Sequence, residues 1–152
     1  MAAESLDIRP LEEAEITVIE GSEPPGQGFV RAMWALQRAG SSTLLGAWEG
    51  AENVGSAEIR WSDEVELANL SVRAGARGRG VGSALIAAAE RLVGSGSLSI
   101  GVGADNPRAR ALYERLGYDG TGELTTTTYE YMDDAGIRRI ATETDERLIK
   151  HL

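Results

Sequence analysis

Between Arg73 and Leu92 the chain reads RAGARGRGVGSALIAAAERL, three arginines and four glycines within ten residues set directly before an alanine-rich run. Glycines at 78, 80 and 82 let backbone amides approach a ligand with no side chain in the way. A helix that starts there aims its unpaired N–H groups and its dipole at the same point. From Gly80 onward Val81, Ala84, Leu85, Ala88 and Leu92 recur at helical spacing, and GSGS at 94–97 stops the run. The stretch therefore predicts a bare loop and a helix N-terminus suited to an anion such as a pyrophosphate.

Two common phosphate-binding signatures do not account for it. A Walker-type loop needs G-x-x-x-x-G-K-[ST], and the chain has no lysine before Lys150; a dinucleotide fingerprint needs G-x-G-x-x-G, whereas Gly78, Gly80 and Gly82 are spaced G-x-G-x-G. The surrounding charge favours an anion all the same. Residues 73–115 hold seven arginines against three acidic residues, while the whole chain of 152 residues carries a net charge of −9. Such a contrast suits an anionic ligand in the middle third and a cationic or neutral partner elsewhere, and disfavours nucleic acid, which needs a broad basic face. An acidic solubilising surface with scattered arginines is the plainer alternative.

Composition removes several chemistries. With no cysteine and a single histidine, His151, the chain has no disulfide, thiol nucleophile or thiolate metal site, and a Ser–His triad is poorly supplied. No metal is expected. No window reaches the ~18 apolar residues of a membrane span, and MAAESLDIRP lacks the features of a signal peptide, so no membrane association and a cytoplasmic location are expected. The length suits one domain, residues 1–152.

Along the chain, SLDIRP reads as a strand ended by Pro10. Helices follow near 11–20 and 26–39, separated by GSEPPGQG. STLLGAWEG, NVGSAEIRW and EVELANLSV read as a meander of three strands, and LSIGVG follows the glycine-flanked helix as another. DNPRARALYERLG carries Asn106 as N-cap, Pro107 at the first helical position and Gly117 at the C-terminal cap, with Ala109, Leu112, Tyr113 and Leu116 as its apolar stripe. TTTTYEYM, a turn at DDAG and ERLIKHL read as closing strands, with the strand assignment of IRRIATE between them left open. This order predicts an α/β (α+β) domain, a single mixed, mostly antiparallel sheet of about six or seven strands flanked by about four helices.

The spacing Arg77-Gly78-Arg79-Gly80-Val81-Gly82 fits [RQ]-x-x-G-x-[GA], and NPRARALYERLGY fits N-x-x-A-x-x-L-Y-E-x-x-G-[YF] at Asn106, Ala109, Leu112, Tyr113, Glu114, Gly117 and Tyr118. With the strand ELANLSV immediately before the first motif, the chain resembles the GNAT superfamily of N-acetyltransferases from end to end. The resemblance implies acetyl-CoA as cosubstrate. Its pyrophosphate would be held by Arg77, Gly78, Arg79, Gly80, Val81, Gly82 and Ser83, chiefly through backbone amides. Its pantetheine arm would lie along backbone groups of Leu70 and Val72, where the family's fourth strand bulges away from the fifth, and would reach Asn106. The family commonly has a proline before the arginine; here Arg73-Ala74-Gly75-Ala76 stands there instead, which predicts a looser start to the loop.

Several of these residues have a plainer reading beside the implied one. The Arg77 and Arg79 side chains are either phosphate contacts or solvated surface groups, Asn106 is a helix cap, a ligand contact or both, and the Leu70 and Val72 side chains read as core. Tyr113 is either a packed core tyrosine or, as the resemblance implies, the acid that protonates the departing CoA thiolate. For the base that must take a proton from an amine, Glu66 stands where one branch of the family has its glutamate. Glu58 on the preceding strand is the competitor, and either can be an ordinary strand residue.

The implied activity is direct acetyl transfer to a primary amine, a small cationic molecule or a peptide amine, in a ternary complex. A CoA-binding regulatory domain without turnover, another acyl donor and a hydroxyl acceptor remain alternatives, and a homodimer is left open. Residues 11–39 and 119–147, where the family's substrate specificity lies, are rich in Asp and Glu, which leans toward a basic or neutral acceptor.

Overall fold

A computed structural model describes residues 6–21 and 28–152. The strands are β1 (Leu6–Pro10), β2 (Ser42–Glu49), β3 (Glu52–Arg60), β4 (Glu66–Val72), β5 (Ser97–Gly103), β6 (Asp119–Met132) and β7 (Arg138–His151). The helices are α1 (Glu13–Glu20), α2 (Phe29–Arg38), α3 (Val81–Val93) and α4 (Pro107–Arg115). The predicted α/β class therefore holds, with seven strands and four helices in the expected order. Residues 1–5 and 22–27, which include Ser5 of the first expected strand, most of GSEPPGQG and the expected start of the second helix, lie outside the described residues. Among the described residues no helix is long and apolar enough to cross a membrane.

The chain divides into two compact units, one running to Leu98 and including His151 and Leu152, the other spanning Ser99–Lys150. In the first, β1, β2, β3 and β4 form an antiparallel meander in that order. Alternation along β2 sorts its side chains between two faces. Leu44 and Trp48 join Leu11, Ile16 and Val30 in a buried cluster under α1 and α2. A Cβ at Gly46 would strike the Leu11 side chain, so this glycine lets the chain leaving β1 lie flat on the sheet. The opposite face receives α3, whose Val81, Leu85, Ile86, Ala88 and Ala89 are buried. Burying side chains such as Leu85 and Ile86 stabilises by about 1.5–3 kcal/mol each. Leu92, expected on the same stripe, is 48% exposed; the stripe runs through Ile86 and Ala89, and Leu92 falls on the last turn, beyond it.

In the second unit α4 has the predicted punctuation. Asn106 Oδ1 accepts from the Ala109 amide at 3.1 Å, and Pro107 occupies the first turn. At the other end Gly117 takes φ +100°, and the amides of Tyr118 and Gly117 return to the carbonyls of Tyr113 and Glu114. This double return closes the helix, and only a residue at ease in the left-handed region permits it.

The closing strands stand where they were expected and run further than the motifs that marked them. Residues 138–143 of IRRIATE belong to β7. The two strands pair without a break from Leu124↔Glu146 to Met132↔Arg138, with a register shift between Gly120 and Leu124, around a turn in which Asp133 Oδ1 accepts from the amides of Ala135 and Ile137. Every residue of β6 is exposed, so no burial alternation marks it. Cross-strand pairs hold it instead, such as Thr126 with Thr144 and Thr128 with Thr142, each 3.1 Å apart.

Candidate active site

The glycine-rich loop leaves β4 through one 3-10 turn at Ala74–Ala76. Its amide-to-carbonyl bond from Ala76 to Arg73 is 2.8 Å long, and Ala76 is buried. A closed turn thus stands where a looser start was expected without proline. Gly78 and Gly80 take φ +78° and +82°, which an L side chain rarely adopts. A Cβ built on either would find nothing within 4 Å, so the space in front of the loop is open. The first intrahelical bond of α3 runs from the Ala84 amide to Gly80 at 3.0 Å. The amides of Val81, Gly82 and Ser83 therefore have no acceptor inside the helix. A helix of 13 residues presents them with the positive end of its dipole. Open space, bare backbone and three free amides fit a pyrophosphate.

The arginine side chains are already engaged. Arg77 Nε donates to the Val72 carbonyl at 3.2 Å, occupying one lone pair of a backbone group expected to face pantetheine. Arg79 Nη2 lies 2.7 Å from Glu49 Oε1, and Arg73 pairs with Glu52. Two carboxylates at the β2–β3 turn therefore neutralise cations beside the loop, so the charge contrast seen in the sequence is smaller locally. The amides of Val81, Gly82 and Ser83, which no carboxylate neutralises, are left as the donors facing the open space.

The position of α3 depends on Gly55, a residue outside both glycine motifs. A Cβ there would lie 2.9 Å from the Ser71 carbonyl oxygen, 3.0 Å from Val81 Cγ1 and 3.2 Å from Leu85 Cδ1. Only glycine lets the first turn of the helix sit this close to β3. A glycine interrupting a strand pattern was the available signal.

The β3–β4 register shifts by one residue, so that Asn69 and Leu70 together oppose Ala57. Asn69 has φ +53° and is the one non-glycine residue with positive φ among the described residues. This is a β-bulge in the fourth strand, where the resemblance implied one. Leu70 and Val72 lie at or just past it and are half-buried, not core.

The structure separates the two candidate bases by environment. Glu66 opens β4, its side chain is 40% exposed, and its Oε1 accepts from Arg60 Nη1 at 3.2 Å. Glu58 is 1% exposed and takes three hydrogen bonds, from Ser42 Oγ at 2.8 Å, Arg60 Nε at 3.0 Å and Asn69 Nδ2 at 3.0 Å. A carboxylate this encased is committed to its partners, whereas Glu66 has accessible surface. One guanidinium joins the two.

In the second unit Tyr113 is 8% exposed, and burial raises its hydroxyl pKa above the usual tyrosine value. Burial therefore favours the neutral hydroxyl over the tyrosinate. Asn106 is a cap by geometry, and the cap uses its Oδ1, leaving the Nδ2 hydrogens uncommitted to the helix. Beside it a cleft of about 430 Å³ is lined by Gly103, Asp105, Asn106, Thr142, Glu143 and Asp145. Three carboxylates in this lining make it a cation-favouring surface.

Comparison with known proteins agrees with this geometry. The acetyltransferase (GNAT) family model matches residues 7–118, from β1 to the end of the α4 cap. Mycothiol acetyltransferase of Geodermatophilus obscurus is 36% identical over 113 residues, 74% of this chain and 32% of that one, so the chain spans about a third of this relative's length. Among solved structures, the ribosomal-protein-S18-alanine N-acetyltransferase of Escherichia coli has TM-score 0.69 at 20% identity, covering 97% of this chain and 94% of its own. A GNAT family acetyltransferase from Elizabethkingia anophelis with acetyl-CoA bound has TM-score 0.65 at 18% identity, covering 97% and 98%. With the family's two motifs seated on the α3 loop and on α4, and its model matching most of the sequence, the chain belongs to the GNAT family of acetyltransferases.

Proposed function

We propose that residues 1–152 act as one acetyltransferase domain that moves the acetyl group of acetyl-CoA directly to a primary amine. The observation that carries this reading is the open loop at Gly78–Ser83, with three helix-end amides free for a pyrophosphate. Bound acetyl-CoA supplies an activated acetyl thioester. Arg77, Gly78, Arg79, Gly80, Val81, Gly82 and Ser83 hold its phosphates, backbone groups of Leu70 and Val72 hold the pantetheine arm, and Asn106 adds an Nδ2 donor.

An amine is protonated near neutral pH and attacks only after losing that proton, and Glu66 accepts it, directly or through water. As the new C–N bond forms and the C–S bond breaks, the Tyr113 hydroxyl gives its proton to the departing sulfur. The acetylated nitrogen then loses its second proton to water and Tyr113 regains one from water, while the proton held by Glu66 is the one released overall. The chain has no cysteine to carry an acyl-enzyme, so transfer is direct. The acidic lining beside Asn106 supports a cationic acceptor such as a polyamine, an aminoglycoside or a basic peptide amine.

The test is incubation with acetyl-CoA and a panel of such amines beside acidic peptides, following free thiol release and the mass gain of one acetyl group. Turnover with basic acceptors supports the reading. Preference for acidic peptides overturns the cationic acceptor. CoA binding with no turnover on any amine overturns the enzyme reading in favour of a CoA-binding regulatory domain.

A further inference from the structure

Among the described residues Glu58 is the only buried acidic side chain, and an ionised carboxylate out of water is costly unless fully hydrogen-bonded. Its three donors come from three strands: Ser42 on β2, Arg60 on β3 and Asn69 on β4. One of them, Asn69, is also the residue that makes the bulge, in a left-handed conformation that Asn tolerates and most residues do not. The second Nδ2 contact of Asn69 is Met33 Sδ of α2, 3.7 Å away. The exposed Asn69 side chain thus reaches inward to the buried Glu58 carboxylate and across to α2, and a two-for-one register is held at a single place on β4. Another donor, Arg60, also reaches Glu66.

Resting on the acetyltransferase reading, we infer that Glu58 is a positioning residue: through Asn69 it locks the β4 bulge so that the Leu70 and Val72 backbone is set for acetyl-CoA. The carboxylate touches neither cosubstrate nor acceptor in this role. Its energy goes into choosing one register. A β-strand without the tether can move its extra residue along the ladder, and every backbone group after it would then change direction.

Asn69→Gly separates this role from simple packing, because glycine adopts the left-handed backbone freely yet loses the tether. Calorimetric titration with CoA is expected to show affinity about tenfold weaker in Asn69→Gly than in the parent, the size expected for one lost hydrogen bond to a charged group. In turnover the KM for acetyl-CoA rises by a similar factor while kcat stays within about twofold, the pattern of lost uniform binding. Glu58→Gln is expected to weaken CoA binding too. The double variant should lose little more than Asn69→Gly alone, since both changes break one path. Unchanged CoA affinity in Asn69→Gly, or full additivity in the double variant, overturns the proposal and leaves the acetyltransferase reading standing. A parent protein that binds no CoA overturns both.

Discussion

Gly55 and Val81 approach so closely that a methyl group on the glycine would lie 3.0 Å from Cγ1 of the valine. The N-terminal turn of α3, with its free amides, is thereby seated on β3 with no slack. Gly55→Ala is expected to destabilise by about 1–3 kcal/mol, the usual cost of overpacking, and to weaken CoA binding by shifting those amides. Denaturant melts and CoA titration check the two parts; a stable variant with parental affinity would show that the helix has room to move.

Glu49 and Arg79 form an ion pair at the rim of the same loop. Glu49→Gln should release the guanidinium for a phosphate, tightening CoA binding a few-fold and steepening its salt dependence. Stability should change by less than about 1 kcal/mol, because the arginine is largely exposed. Titration at two ionic strengths reads this out. Weaker binding in Glu49→Gln would mean that the carboxylate aims the arginine.

Tyr113→Phe is expected to lower turnover about 10²–10⁴-fold, the range for loss of one acid–base group, with CoA affinity kept. Because burial raises the hydroxyl's pKa, the proton is retained up to and beyond the usual tyrosine value near ~10. The parental pH profile should therefore show no loss of activity from this group below that value. Near-normal turnover in Tyr113→Phe would return the tyrosine to the core.

Glu66→Gln should impair turnover most below the pKa of the acceptor amine and recover as pH rises and free amine accumulates. Its pH–rate profile beside that of the parent is the measurement. A defect independent of pH would remove Glu66 from the role of base.

Arg110 reaches Glu146 with two nitrogens, at 2.8 and 3.3 Å, joining α4 to β7. The hydrogen bond from Arg110 is the main cause that holds the Glu146 carboxyl below the usual glutamate range. A lowered native pKa stabilises the fold above the unfolded value, and this contribution disappears as pH falls through the native one. Parent and Glu146→Gln should thus differ in unfolding temperature at neutral pH and converge in acid below that window. A difference that persists in strong acid would show that charge is not its source.

Much of this was legible in the sequence where local chemistry decides structure. The loop glycines, the α3 stripe up to Ala88, and Asn106, Pro107 and Gly117 around α4 each act within a few residues, so spacing reveals them. What was missed depends on partners distant in sequence. Gly55 matters because of Val81, and Glu58 became a buried anchor only when Ser42, Arg60 and Asn69 converged on it. The asparagine within ELANLSV was a signal that went unused, since Asn inside a strand run is disfavoured unless a bulge needs left-handed backbone. The two closing strands and the turn between them were legible from TTTTYEYM, DDAG and ERLIKHL, whereas the extent of their pairing was not, because β6 is exposed along its whole length and carries no alternation to read.

The claim that the loop before α3 holds the cosubstrate phosphates is tested most directly by titrating CoA into the parent and Gly80→Asp. The substitution puts a side chain and a negative charge where the phosphates are expected. Saturable binding by the parent and none by a folded Gly80→Asp are expected; equal affinity in the two proteins would place the phosphates elsewhere.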